Sequence, residues 1–177
     1  MRITGGVLGG RQIEVPPGII RPSMDRMRES VFACLGDISG LSFLDLFSGS
    51  GIIALEAASR GAACIEAVEN DKLKRKALLA NVSISPVRIN CHFVPAELYI
   101  KRAKRGFDII FLDPPFRYQF KRELIRNIAA SVLFTNESRL LIHYPRNDSH
   151  WDPIKPLVKS DSREYGRSIV DFFTSRF

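Results

Sequence analysis

The chain has 177 residues, 45% hydrophobic and 25% charged, with three cysteines and a formal net charge of +7. That length supports one domain with a core that needs no disulfide or metal brace, and the composition is too apolar for a disordered chain. No run approaches the roughly 20 apolar residues of a membrane span, and the opening Met1-Arg2-Ile3-Thr4-Gly5-Gly6 lacks the apolar stretch of a secretory signal. Cys34, Cys64 and Cys91 lie far apart in apolar runs, so they read as buried core thiols in a reducing cytosol. A cytoplasmic location is expected. The positive balance attracts polyanions, nucleic acid foremost. Its cations cluster at Arg21, Arg26 and Arg28, at Lys72, Lys74, Arg75 and Lys76, at Lys101, Arg102, Lys104 and Arg105, and at Arg117, Lys121 and Arg122. A lysine run serves equally well as a solvated helix face.

The first element predicted is a hairpin over residues 2–15, turning through Gly5, Gly6, Gly9 and Gly10 and ended by Pro16, Pro17 and Gly18. A helix starts near Ser23 or Asp25, either of which can cap it, carries Met24, Met27, Val31, Phe32 and Leu35 at helical spacing, and stops at Gly36. Strands at 41–47, 64–68, 89–94, 107–112 and 139–144 then alternate with helices at 52–59, 72–82, 98–104 and 123–133. The strands are continuous apolar runs, as expected when helices cover both faces of a parallel, doubly wound sheet. Strands at 155–163 and 168–173 flank the turn Glu164-Tyr165-Gly166-Arg167, forming an antiparallel hairpin that makes the sheet mixed. Residues 1–20 are read as a hairpin extension and 21–177 as the main domain.

Three sites carry chemistry. Asp45-Leu46-Phe47-Ser48-Gly49-Ser50-Gly51 ends the first long strand, where ligands of open α/β sheets bind. Its glycines permit a sharp turn and a close ligand, but the third glycine of a dinucleotide fingerprint is replaced by Ile53 and Ala54. Asp45 before the glycines suits a cationic, amine-bearing cofactor better than a pyrophosphate. Glu69, some twenty residues beyond, is placed to accept both hydroxyls of a ribose, while Asp71 is read as a helix cap and Asn70 is ambiguous. The third site, Asp113-Pro114-Pro115-Phe116, follows the strand at 107–112. Its two prolines make a rigid turn without backbone donors. Asp113 and the Pro114 carbonyl can accept the two N–H groups of an exocyclic amine while Phe116 stacks on an unstacked base.

This tetrapeptide resembles the [DNS]-P-P-[YFW] motif of amino-group N-methyltransferases. The whole chain is similar to the RsmD family, which methylates the N2 amino group of a guanine in 16S ribosomal RNA. The likeness runs through Met1-Arg2-Ile3, Gly9-Gly10-Arg11, Arg21-Pro22, Asp25-Arg26-Met27-Arg28-Glu29, the Asp45–Gly51 segment, Leu55-Glu56-Ala57, Ser59-Arg60-Gly61-Ala62, Val68-Glu69, Asp113–Phe116 and Tyr165-Gly166. It implies a Rossmann-like class I methyltransferase fold with a seven-stranded mixed sheet and a C-terminal antiparallel hairpin. It further implies S-adenosyl-L-methionine as cofactor and ribosomal RNA, in a partly or fully assembled small subunit, as partner. A monomer without metal or membrane attachment is expected. Asp113, Pro114, Pro115 and Phe116 would form the catalytic corner, and Asp45, Ser48, Gly49, Gly51, Glu69, Asn70 and Glu97 the cofactor site. Arg2, Arg11, Arg21, Arg26, Arg28 and Arg117 are the candidate RNA contacts, the first two on the hairpin as an RNA arm. Where the family usually carries Gly-Asp-Ala, this chain has Pro95-Ala96-Glu97, with Glu97 as the substitute acid. His143-Tyr144-Pro145-Arg146 likewise replaces an acidic segment.

The expected mechanism is direct in-line transfer with Asp113 as an orienting acceptor, since the enzyme's contribution is positioning. DNA adenine-N6 methyltransferases share the motif but usually add a target-reading domain for which this chain has no room. A non-catalytic RNA-binding module would not need Asp45 and Glu69, and a nicotinamide oxidoreductase would carry the third glycine. Trp151 and the histidines lack a surrounding constellation, and His92 is read as core.

Overall fold

The computed structural model describes residues 1–16, 24–148 and 154–175. Helix α1 (Met24–Leu35) leads into strand β1 (Ser42–Leu46), helix α2 (Ile52–Ser59) and strand β2 (Cys64–Val68). A 3₁₀ turn (Lys72–Lys74) and helix α3 (Arg75–Val82) precede strand β3 (Ile89–His92) and helix α4 (Ala96–Arg102). Strand β4 (Ile109–Leu112), helix α5 (Lys121–Ala129) and strand β5 (Arg139–Pro145) follow, then a 3₁₀ turn (Arg146–Asp148) and the hairpin of β6 (Leu157–Tyr165) and β7 (Ser168–Ser175).

The seven strands lie in the order β3-β2-β1-β4-β5-β7-β6. The first five run parallel, and β7 pairs antiparallel with both β5 and β6. Strand order reverses between β1 and β4, and a crevice for ligands opens at such a switch point. Alternate residues of the central strands feed two cores. Phe43, Ile109 and Phe111 pack on one side with Ile3, Val31 and Leu55 from the N-terminal segment, α1 and α2. Leu44, Leu46, Ile110 and Leu112 pack on the other with Ile100 and Ile125 from α4 and α5. Each such side chain withdrawn from water contributes about 1.5–3 kcal/mol. Every residue of α2 is buried, so this short helix depends on tertiary packing for its stability.

Several boundaries move for local reasons. Asp71 caps as expected, its carboxylate accepting from Leu73 N at 2.9 Å, but the first turn is 3₁₀ and the α-helix begins at Arg75. Helix α5 ends short of 133 because the Ser131 hydroxyl donates to Ile128 O at 2.8 Å and accepts from Leu133 N at 3.2 Å, turning the chain out. The predicted N-terminal hairpin forms about the bridge Arg2–Gln12, with Ile3 N donating to Arg11 O at 2.9 Å, Gly10 N to Ile3 O at 2.9 Å and Ile13 N to Met1 O at 2.8 Å. Its turn also bonds to α2: Val7 N to Ser59 O, Leu8 N to Ser59 Oγ and Thr4 N to Glu56 Oε1. Ile3, Leu8 and Ile13 enter the core. The expected boundary at residue 20 lies outside the described residues.

The cysteines are not core thiols: Cys34 is exposed and Cys64 and Cys91 are half-buried. Apolar neighbours in sequence did not bury them because they fall on outward-facing or edge positions. His92 is not core either. It lies on edge strand β3 with its Nε2 2.8 Å from Glu66 Oε2 and its ring edge-on to Tyr99.

Candidate active site

Pairing of Leu46 with both Val68 and Leu112 sets the C-terminal ends of β1, β2 and β4 side by side. The residues that follow, Phe47, Glu69 and Asp113, therefore meet at the switch point. Asp113 N donates to Leu46 O at 3.2 Å and Ser48 N to Val68 O at 2.9 Å, fastening the loops to the sheet. The turn after β1 is tight: Phe47 has φ 65°, strained for a non-glycine residue, and Gly51 has φ 82° as N-cap of α2. A Cβ at Gly51 would fall 2.7 Å from Leu78 Cδ1, so the glycine also permits α3 to pack closely. At Gly49 a Cβ would meet nothing nearer than Phe47 O at 4.0 Å, which leaves open space beside the backbone.

Asp45, at 1% exposure, accepts on Oδ2 from Ser48 Oγ at 2.6 Å and from Ala54 N at 3.2 Å. Its buried Oδ1 has no hydrogen-bond partner among the described residues. Burial pushes its pKa up to about 7, and the charges of Asp113 and Glu69 push the same way. Glu69 accepts Gly49 N on Oε2 at 2.7 Å and Asp71 N on Oε1 at 2.8 Å, so each oxygen keeps a lone pair. Three carboxylates thus converge on a glycine-lined crevice. Their field, the unpaired Asp45 oxygen and the open space at Gly49 all fit a cationic cofactor bearing ribose hydroxyls, the chemistry of S-adenosylmethionine.

The proline corner closes the crevice on the β4 side. Asp113 Oδ1 lies 2.9 Å from His143 Nδ1, and the Phe116 ring meets the His143 ring edge-on at 5.8 Å. Tyr118 N donates to Pro115 O at 2.8 Å, and Lys121 Nζ donates to Phe116 O at 2.9 Å, Tyr118 O at 2.5 Å and Asp148 Oδ2 at 2.8 Å. Tyr118 packs edge-on against Phe47 at 5.4 Å and bonds through its hydroxyl to Glu97. Burial, aided by that carboxylate, raises the Tyr118 phenol pKa.

The structure brings Asp45, Ser48, Gly49, Gly51, Glu69 and the Asp113–Phe116 corner together. Glu97 joins them only through Tyr118, and Asn70 is exposed beyond β2. Among the expected RNA contacts, Arg2, Arg11, Arg26 and Arg117 are exposed, whereas Arg21 lies outside the described residues, as does Trp151. Arg28 is a correction. Its side chain is fully buried, with Nε on Glu56 Oε1 at 3.0 Å and Nη2 on Asp25 Oδ1 at 2.6 Å and Arg2 O at 2.7 Å. A guanidinium so enclosed braces the fold and does not meet a phosphate. Sequence reasoning missed His143, Tyr118 and Lys121. The clue to His143 was register, because Leu112 pairs with Ile142 and the next residues, Asp113 and His143, must then be neighbours.

A seven-stranded sheet with this order, an antiparallel seventh strand and an acidic glycine turn at the switch point is the Rossmann-like methyltransferase fold. The chain belongs to the RsmD family: the family model described as Conserved hypothetical protein 95 matches residues 1–174. It is similar to ribosomal RNA small subunit methyltransferase D of Escherichia coli (strain K12), with 34% identity over 147 residues, 80% of this chain and 73% of that protein. The solved structure of yhhF from Escherichia coli matches with a TM-score of 0.88 and 25% identity, covering 99% of this chain and 98% of that one. SMU.776, solved complexed with SAH, shares the fold at a TM-score of 0.67 and 18% identity over 87% of this chain and 50% of its own.

Proposed function

We infer that this chain methylates the exocyclic N2 amino group of a guanine in small-subunit ribosomal RNA. Its family relation makes it an S-adenosylmethionine-dependent rRNA methyltransferase. An exocyclic amine as target rests on one observation, the Asp113 corner, and guanine N2 is the amine that the family resemblance implies. There a carboxylate, two prolines and an aromatic ring stand beside the acidic crevice at adjacent strand ends. When bound, the cofactor supplies a methyl group on a sulfonium, an electrophile that needs no activation by protein. Glu69 would hold its ribose hydroxyls and the Gly49 backbone would lie against it, with Ser48 keeping Asp45 in place. Asp113 accepts an N–H of the target amine and Phe116 offers the base a face, which directs the nitrogen lone pair at the methyl carbon. A guanine must leave its stack to enter. Arg2, Arg11, Arg26 and Arg117 are surface cations available to RNA phosphates.

The test is incubation of labelled methyl donor with small subunits from cells lacking the modification, alongside naked RNA, complete subunits and plasmid DNA. Digestion should yield N2-methylguanosine. Label in adenine N6, or in DNA, would refute the reading.

Asp45 supplies a second check. Its raised pKa means the free protein holds a proton there below about pH 7, while a nearby cation favours the ionised form. Cofactor binding then releases that proton, so affinity rises as pH rises from 6 to 8, by up to about tenfold per pH unit below the pKa. Titration calorimetry with S-adenosylhomocysteine, which keeps the ammonium, should show this slope, and Asp45→Asn should flatten it.

A further inference from the structure

We propose that His143 is a positioning residue for methyl transfer, its Nδ1–H fixing the Asp113 carboxylate so that Oδ2 is the acceptor for the target amine. The proposal rests on the methyl-transfer reading of the same site. An ionised carboxylate only accepts hydrogen bonds, so the 2.9 Å contact assigns the hydrogen to Nδ1. The His143 side chain is 2% exposed and that of Asp113 is 21% exposed. The histidine is thus too enclosed to touch a substrate nitrogen, whereas the carboxylate keeps an open side. This difference makes Asp113 the contact and His143 its support.

The support is built into the sheet. Pairing of β4 with β5 through Leu112 and Ile142 places the two residues on adjacent strand ends, and β5 is held on its other edge by β7, where His143 pairs with Val170. The edge-on Phe116 ring packs the imidazole from the corner itself. Asp113, Phe116 and His143 therefore constrain one another, which is how a side chain is held to the fraction of an ångström that in-line transfer requires. A rotation about χ2 of Asp113 costs nothing in water but is blocked here by a buried donor.

The substitutions His143→Leu and His143→Asn separate orientation from packing, because the asparagine amide nitrogen falls near the position of Nδ1. With small subunits as substrate, His143→Leu is expected to lower kcat about tenfold to a hundredfold, the usual range for losing an outer partner of a functional side chain. Affinity for S-adenosylhomocysteine should stay within about twofold, and His143→Asn should recover turnover to within a few fold of wild type. His143→Leu added to Asp113→Ala should cost nothing further. In wild-type protein, imidazole ¹⁵N shifts should report the Nδ1–H form. Asn as slow as Leu, additive loss in the double variant, or an Nε2–H imidazole would each overturn the proposal. Wild-type protein that transfers no methyl group to small-subunit RNA would overturn the functional reading and this one together, an outcome distinct from an active enzyme indifferent to His143.

Discussion

Asp113→Ala is expected to reduce kcat by about 10²–10³ while S-adenosylhomocysteine affinity changes by no more than about threefold. The size follows from removing one preorganised polar partner from a site where charge develops, a loss that typically costs two to three orders of magnitude. The asymmetry follows from geometry. Asp113 sits after β4 at the proline corner, while the glycine turn follows the neighbouring β1 and Glu69 follows β2 on the far side of β1. Its one electrostatic effect on that side is to raise the pKa of Asp45, so its removal eases ionisation there and weakens the acidic field at the same time. These effects oppose each other, and little change in binding remains. Asp113→Asn keeps an acceptor oxygen and should fall between wild type and alanine. Steady-state kinetics and calorimetry on the same preparations decide the matter. An equal loss in turnover and affinity would show that Asp113 holds the cofactor instead of orienting the amine.

Arg28→Leu should destabilise the fold by about 2–4 kcal/mol, because the buried Glu56 loses one of its two guanidinium partners and the charge-assisted hydrogen bonds of Arg28 go with it. Glu56 is fully buried and takes Arg28 Nε, Thr4 N and the Arg60 guanidinium, so one carboxylate joins α1, α2 and the N-terminal segment. Arg28 in turn holds the Arg2 carbonyl at 2.7 Å. Its loss opens the polar seam along which residues 1–16 attach. For a domain of this size the melting temperature should drop by roughly 10 °C. The double variant Arg28→Leu, Glu56→Leu should lose less than the sum of the two single variants, because both singles remove the same Arg28–Glu56 contact. A shift under about 2 °C for the single variant would show that water reaches Glu56 and that the pair is not sealed.

Much of the central sheet was legible because apolar runs mark strands buried on both faces. Helix 52–59 and strand 64–68 have the bounds their patterns predict. The glycine turn, Glu69 and the proline corner were legible for a different reason: each combines residue types that a plain loop does not need. What escaped the sequence was long-range pairing. Nothing local tells that Thr4 and Leu8 of the hairpin bond to α2, since Glu56 and Ser59 lie some fifty residues away. Arg28 sits among charged neighbours and looks like a surface residue until α1 packs its carboxylate partner against it. His143 gains meaning only when β4 and β5 are laid side by side.

The ammonium of Lys121 has three hydrogens and three acceptors around it, two of them carbonyls of the loop that presents Phe116. That stretch is therefore stiffened when the chain folds, before any nucleotide arrives. Encounter with RNA then carries little of the entropic cost of loop closure. Selection among targets shifts to the RNA, in how readily a given base swings out of its helix to reach a jaw that is already set.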